Sequence, residues 1–116
     1  MRHSNQYRKL NRPTDQRMQM LSDLTVALFK NDKIRTTLAR AKETRRLADR
    51  FVILARQGTV AAKRRLYRYV KNRTLVKTIC EKSLSRFEGR TSGFTRMVRI
   101  GSRRGDGATL VMLELM

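Results

Sequence analysis

The residues in this chain that could do chemistry are its cations, and the chemistry they suit is the holding of phosphate. Between Phe51 and Cys80 stand Arg56, Lys63, Arg64, Arg65, Arg68, Lys71, Arg73 and Lys77, without a single Asp or Glu. Side chains three or four positions apart meet on one helix face, so Arg64, Arg68 and Lys71 form a stripe, with Lys63 and Arg65 flanking it. A solvated helix face ordinarily offsets such charge with acids four residues away. This face has none, and like charges crowded together are stable when phosphates act as the counterions. A second cluster lies in Gly101-Ser-Arg-Arg-Gly-Asp-Gly107, where three glycines permit a tight turn and Arg103 and Arg104 stand at its tip, where a ligand would meet them.

The residue types that run reactions are sparse. His3 is the only histidine, Cys80 the only cysteine, and the nine acids are dispersed without a spaced pair, so no general base or metal cage is expected to converge. The serines have no histidine to activate them, and no Gly-x-x-x-x-Gly-Lys-Ser/Thr phosphate loop occurs. One cysteine rules out an internal disulfide and a cysteine-based zinc site. Cys80 falls on an apolar helix face, which suits an inert, buried thiol. Arg104-Gly-Asp106 reads as a turn in which Asp106 caps or pairs locally. These observations predict no enzyme, no cofactor, no metal and no small-molecule substrate.

Charge and length narrow the class further. The chain has 116 residues, 28 Lys and Arg against nine Asp and Glu, and a formal net charge of +19. A body so cationic repels itself and gains stability from a polyanion. Nucleic acid is the leading partner and an anionic membrane the competing one. No apolar run approaches the roughly 20 residues of a spanning helix, and no secretory apolar segment follows Met1. A soluble intracellular protein is the expectation, with one domain, since the chain is too short for two.

The elements that must position these cations follow from periodicity. Residues 1–12 carry Arg2, His3, Arg8, Lys9 and Arg12 with no acid and no apolar period, and read as a basic arm. Two readings of it stand side by side: a solvated terminus, or an arm whose arginines pair with phosphates while His3 and Tyr7 stack on unpaired bases; a third, an organellar transit peptide, ranks below them because serines are few and no amphipathic helix is evident. Residues 13–116 read as a single RNA-binding domain. Pro13-Thr14 opens a helix capped by Thr14 and running to Asn31, with Met18, Leu21, Thr25, Leu28 and Phe29 on one face and Leu24 at its border. Lys33–Leu38 alternates Ile34, Thr36 and Leu38 against Lys33, Arg35 and Thr37, a strand. A second helix from Ala39 to Gln57, closed by Gly58, buries Leu47, Ala48, Phe51, Leu54 and Ala55 and exposes Lys42, Arg45, Arg46, Ile53 and Arg56.

Thr59 caps a third helix with Ala62, Leu66, Tyr69 and Val70 inward, opposite the cationic stripe. A fourth helix after Arg73 turns Leu75, Val76, Ile79, Cys80, Leu84 and Phe87 inward. Phe94–Ile100 predicts a strand with Phe94, Val98 and Ile100 on one face and Thr95 and Arg99 on the other, and Thr109–Met116 a strand whose cleaner face is Val111, Leu113 and Leu115. The expected fold is α+β: a two-layer domain in which a small, mixed three-stranded sheet is covered by about four helices, in the order α-β-α-α-α-β-β, behind an extended basic N-terminal arm.

Taken in register, several stretches resemble the bacterial large-subunit ribosomal protein L-seventeen family. They are Met1-Arg-His3, Leu10-Asn-Arg12, Thr36-Thr-Leu38 with Ala41-Lys-Glu43, and Gly93-Phe-Thr-Arg96 with Arg104-Gly-Asp106. The chain departs from the family pattern at Ser4, Asn5 and Tyr7, which thin the charge of the arm, and at Asp15, while Arg8, Lys9, Arg12 and Arg17 remain in place. The resemblance implies a structural constituent of the large subunit, in a bacterial cytoplasm or an organelle, bound to large-subunit ribosomal RNA near where the nascent chain leaves. It implies neighbouring ribosomal proteins as further partners, and it adds Arg17 and Arg96 to the RNA-binding set. The alternative is a free-standing basic RNA- or DNA-binding protein, such as a nucleic-acid chaperone.

Overall fold

The computed structural model describes residues 8–10 and 12–116. The first helix, α1, spans Thr14–Asn31 and buries Leu21, Ser22, Thr25, Leu28 and Phe29. Thr14 does not cap it. Pro13 takes the cap position in extended backbone, its carbonyl receives the amide of Arg17 at 2.9 Å, and no side-chain cap bond forms. Proline's fixed φ suits the entry to a helix, and this moves the start one residue earlier than a threonine cap would. Asp32 closes α1 in the left-handed region at φ 68°, donating its amide to the Leu28 carbonyl at 2.8 Å. A non-glycine residue rarely adopts that conformation. Here its carboxylate is held by Lys82 and Arg86, each at 2.8 Å.

Strand β1 (Lys33–Thr37) leads into α2 (Leu38–Gln57), which Gly58 ends with φ 66°, the left-handed cap that glycine adopts without a side-chain clash. Then come α3 (Val60–Tyr69), α4 (Arg73–Arg86), β2 (Thr95–Ser102) and β3 (Thr109–Leu115). Thr59 caps α3 as expected, accepting the Ala62 amide at 3.1 Å. Asn72 does the same for α4, receiving the amides of Thr74 and Leu75.

The element order and the two-layer α+β arrangement are as the sequence predicts. The sheet, however, is wholly antiparallel and not mixed: its order is β1-β3-β2, and β3 pairs antiparallel with both neighbours. A long helical connection from β1 to β2 is compatible with a parallel pair, but β3 comes between them. The register sets Ile34 against Leu113, Thr36 against Val111, Thr95 against Leu115 and Met97 against Leu113. Those residues form the face turned to the helices, where Val111 and Leu113 are fully buried, as the clean period-two face of β3 predicts.

For β2 the expected faces are exchanged. Thr95 is buried and Met97 half-buried, while Val98 and Ile100 are 44% and 49% exposed. Phe94 misled the parity: it precedes the strand and drops into the core, ring to ring with Phe87 at 5.2 Å, so its burial says nothing about which strand face points in. Leu84 is a second correction, 57% exposed, because Ser83 continues the α4 stripe of Val76, Ile79 and Phe87. The main core joins α1, α2, α3 and α4 to β3 around Phe29, Phe51, Leu66, Phe87 and Leu113.

Truncating Leu113 to Ala is expected to cost about 2–5 kcal/mol, since the central strand cannot collapse onto the gap. Leu84→Ser should stay within about 0.5 kcal/mol. Urea unfolding followed by circular dichroism measures both, and similar losses at the two sites would contradict this placement of the core.

Candidate nucleic-acid interface

α3 is the element that displays cations most openly. Its apolar residues recur at Ala62, Leu66 and Tyr69, so one side is fixed: Ala62 and Leu66 are buried, and Tyr69 lies 5.4 Å from the Phe51 ring. Lys63, Arg64, Arg65 and Arg68 are thereby forced outward, and Lys71 follows just past the helix end. All five are exposed, and none makes an ion pair or a side-chain hydrogen bond among the described residues. Around Arg65 and Arg68 the surface dips into a hollow of about 250 Å3 that also takes in Arg50, Leu54 and Tyr69. Arg50 is a cation the sequence reading missed. Its spacing of four from Arg46 and from Leu54 along α2 is the signal that could have found it.

The other expected binding residues divide by whether a carboxylate already holds them. The Arg8 amide donates to Glu43 Oε1 at 3.3 Å, and its guanidinium lies 3.6 Å from the same oxygen. Glu43 is only 5% exposed, so this contact ties the chain before α1 to α2, with Leu10 packed on the core beside it. Lys9 and Arg12 are exposed and joined by a turn, the Arg12 amide to the Lys9 carbonyl at 3.1 Å. Arg17 is half-buried and lines a cleft between α1 and α2 with Glu43, Arg46, Asp49 and Arg50. Arg96 pairs with Glu114 at 2.6 Å across β2 and β3. Arg2 and His3, and Tyr7 with them, lie outside the described residues.

At the hairpin tip Arg103 donates to both carboxylate oxygens of Asp106, through Nε at 3.1 Å and through an Nη. Asp106 also accepts the Ala108 amide at 3.2 Å, and together these bonds hold its carboxyl down to about 2, the Arg103 bond contributing most. The Arg104-Gly-Asp106 tripeptide is therefore a local turn, as its sequence predicts. Arg104 stays exposed. Arg56, counted in the acid-free run of cations and on the exposed side of the second helix, is instead structural: it donates to the Arg90 carbonyl and lies 5.9 Å over the Phe94 ring.

No group of three or more His, Cys, Asp or Glu gathers among the described residues. Burial pushes the Cys80 thiol up, against the thiolate that a nucleophile needs. No described helix is long and apolar enough to cross a membrane. What the arrangement can do chemically is bind anions at the exposed, unpaired guanidinium and ammonium groups of α3.

The profile of the family described as Ribosomal protein L17 matches residues 20–116. The chain belongs to that ribosomal family. Among its curated relatives, "Large ribosomal subunit protein bL17" of Clostridium acetobutylicum is 46% identical over 109 residues, covering 94% of this chain and 96% of the relative. The proteins of the same name from Clostridium perfringens and Clostridium botulinum are 46% and 45% identical over the same length. The match takes in all four helices from the second turn of α1 onward and the whole sheet.

The carboxyl groups give a direct check on this geometry. Asp32 is held below the ordinary value of 3.8 by the Lys82 hydrogen bond, Asp106 is held at about 2, and burial raises Asp49. A carboxyl depressed in the folded state stabilises it above the unfolded value and loses that effect as pH falls through the folded one. The contributions of Asp32 and Asp106 are therefore full at neutral pH and fade only in acid below 3.8. Carboxyl-detected NMR titration should find midpoints for Asp106 and Asp32 below 3.8 and for Asp49 above it; an Asp106 midpoint at or above 3.8 would show that the turn pair does not form.

Proposed function

We propose that this protein is a non-catalytic structural constituent of the large ribosomal subunit that holds large-subunit ribosomal RNA through the α3 stripe of Lys63, Arg64, Arg65 and Arg68, extended by Lys71. The single observation that carries the RNA contact is that these five cations are exposed and unpaired while carboxylates hold Arg8, Arg96 and Arg103. Unpaired like charges on one face raise the free energy of the isolated fold, and phosphates lower it again on binding. Family membership selects the RNA, since the curated relatives are named as large-subunit proteins.

In this reading the buried face of α3 fixes the positions of its cations, and the cations fix the protein on the RNA backbone without reading sequence. Arg104 at the hairpin tip supplies a contact at a second place. The arm, residues 1–12, reaches between RNA helices, where Arg2, His3, Lys9 and Arg12 meet phosphates and bases. Arg96 and Arg103 act in part through Glu114 and Asp106, and Arg17 from the cleft between α1 and α2. The subunit belongs to a cytoplasmic ribosome, and neighbouring proteins near the nascent-chain exit complete the surroundings.

Arg64→Ala combined with Arg68→Ala should flatten the salt dependence of binding to a large-subunit ribosomal RNA transcript, each lost phosphate contact taking up to roughly 0.9 from the logarithmic slope on the duplex-DNA scale. An unchanged slope, measured by filter binding across a salt series, would remove α3 from the interface. Deleting residues 1–7, which keeps the Arg8–Glu43 contact and the packing of Leu10, should leave the helical circular dichroism intact and lower occupancy in purified large subunits. Full occupancy of the truncated chain would show that this part of the arm is dispensable. Sedimentation of the full chain separates this reading from a nucleic-acid chaperone: it should remain with large subunits through a moderate salt wash and not spread through the gradient.

A further inference from the structure

The face of the sheet turned away from the helices has no cover, yet it is apolar. An antiparallel sheet with one solvated face ordinarily alternates apolar inward and polar outward. β3 does not: between the buried Val111 and Leu113 its outward residues are Leu110 and Met112, each half-buried. Met112 is the Cα partner of Val98 on β2 and of Arg35 on β1, and Leu110 of Gly101 and Thr37. Val98 is 44% exposed, so the three aliphatic side chains of Val98, Leu110 and Met112 stand together on the β2–β3 half of this face, and Ile100, 49% exposed, lies next to them at the register shift between Arg99 and Gly101. Lys33 and Arg35 border them on β1, both exposed and neither with an ion pair or side-chain hydrogen bond among the described residues. Arg96 borders the other side, already paired with Glu114.

From this arrangement we propose that the open sheet face docks a neighbouring ribosomal protein, through an aliphatic surface whose flanking Asp or Glu residues pair with Lys33 and Arg35. It deepens the reading of the chain as a ribosomal constituent and rests on it. RNA is a poor occupant. Bases are held by aromatic stacking, and the rings of Phe29, Phe51, Phe87 and Phe94 are buried in the core. A second copy of the chain fits no better, because two bodies of formal net charge +19 would bring their bordering cations together. An acid-flanked aliphatic surface satisfies both halves of the patch, burying Val98, Leu110 and Met112 and neutralising Lys33 and Arg35.

The test uses large subunits from cells whose chain carries benzoylphenylalanine in place of Val98 or, in a parallel strain, in place of Arg64. Irradiation should link position 98 to protein, in a peptide bearing aliphatic residues beside Asp or Glu, and position 64 to RNA. A link from position 98 to RNA or to a second copy of this chain, or no link at all, overturns the inference. Absence of the chain from large subunits overturns both readings, whereas a protein link at 98 without an RNA link at 64 overturns only the α3 contact. A companion variant, Val98→Ser with Met112→Ser, checked for folding by circular dichroism, should bind a large-subunit ribosomal RNA transcript within about twofold of the parent and lose about tenfold or more of its retention in salt-washed subunits. Equal losses in both assays would assign the face to RNA and sink the proposal.

Discussion

Shortage of acid is the constraint from which the rest of this molecule follows. Nine carboxylates face 28 Lys and Arg, so most cations must go without an internal partner. Four of the acids are spent on framework: Asp32 on Lys82 and Arg86, Glu43 on Arg8, Asp106 on Arg103 and Glu114 on Arg96. Each of these pairs sits at a junction. Asp32 closes α1 and joins it to α4, its carbonyl also accepting the Leu115 amide at 2.9 Å. Glu43 ties the chain before α1 to α2, Asp106 shapes the hairpin and Glu114 bridges two strands. Exposed pairs contribute little in themselves. Their effect is to settle where the chain bends while leaving α3 with charge that only an outside anion can offset.

β3 is the mechanical centre of the fold. It pairs on both edges, fills one layer with Val111, Leu113 and Leu115, and meets α1 and α2. α3 packs instead on α2 and α4. The unpaired cations are thus carried on a helix braced by other helices, and the hairpin on a sheet braced by α1 and α2. This division explains how one small chain can offer phosphate contacts from α3 and a separate apolar face from the sheet without either intruding on the other.

Much of this was legible in the sequence because helix periodicity is redundant. α2 announces its buried side five times, from Leu47 to Ala55, so the loss of any one residue would not change the reading. Its stripe even places the exposed Ile53 correctly. Short strands lack that redundancy. β2 offers few apolar residues, and adding Phe94, which belongs to the core but not to the strand, was enough to exchange its faces. Leu84 failed for a related reason: a leucine one position from the stripe outweighed the serine that lies on it. Pairing was less visible still. That Arg56 donates to the Arg90 carbonyl, or that Arg96 finds Glu114, depends on contacts across 34 and 18 positions that spacing cannot reveal.

The same comparison separates charge that is free from charge that is merely present. Counting cations from Phe51 to Cys80 treats Arg56 and Arg64 alike, yet one lies over an aromatic ring and the other points into solvent. Removing the first disturbs packing, and removing the second disturbs only what binds from outside. The open face of the sheet obeys the complementary rule. Its two unpaired cations stand beside aliphatic residues, so a partner there must supply apolar surface as well as acid, whereas α3 asks for negative charge alone. A densely anionic polymer suits the helix, and a folded protein suits the sheet; the composition that makes the whole chain basic therefore leaves room for two partners of different chemistry.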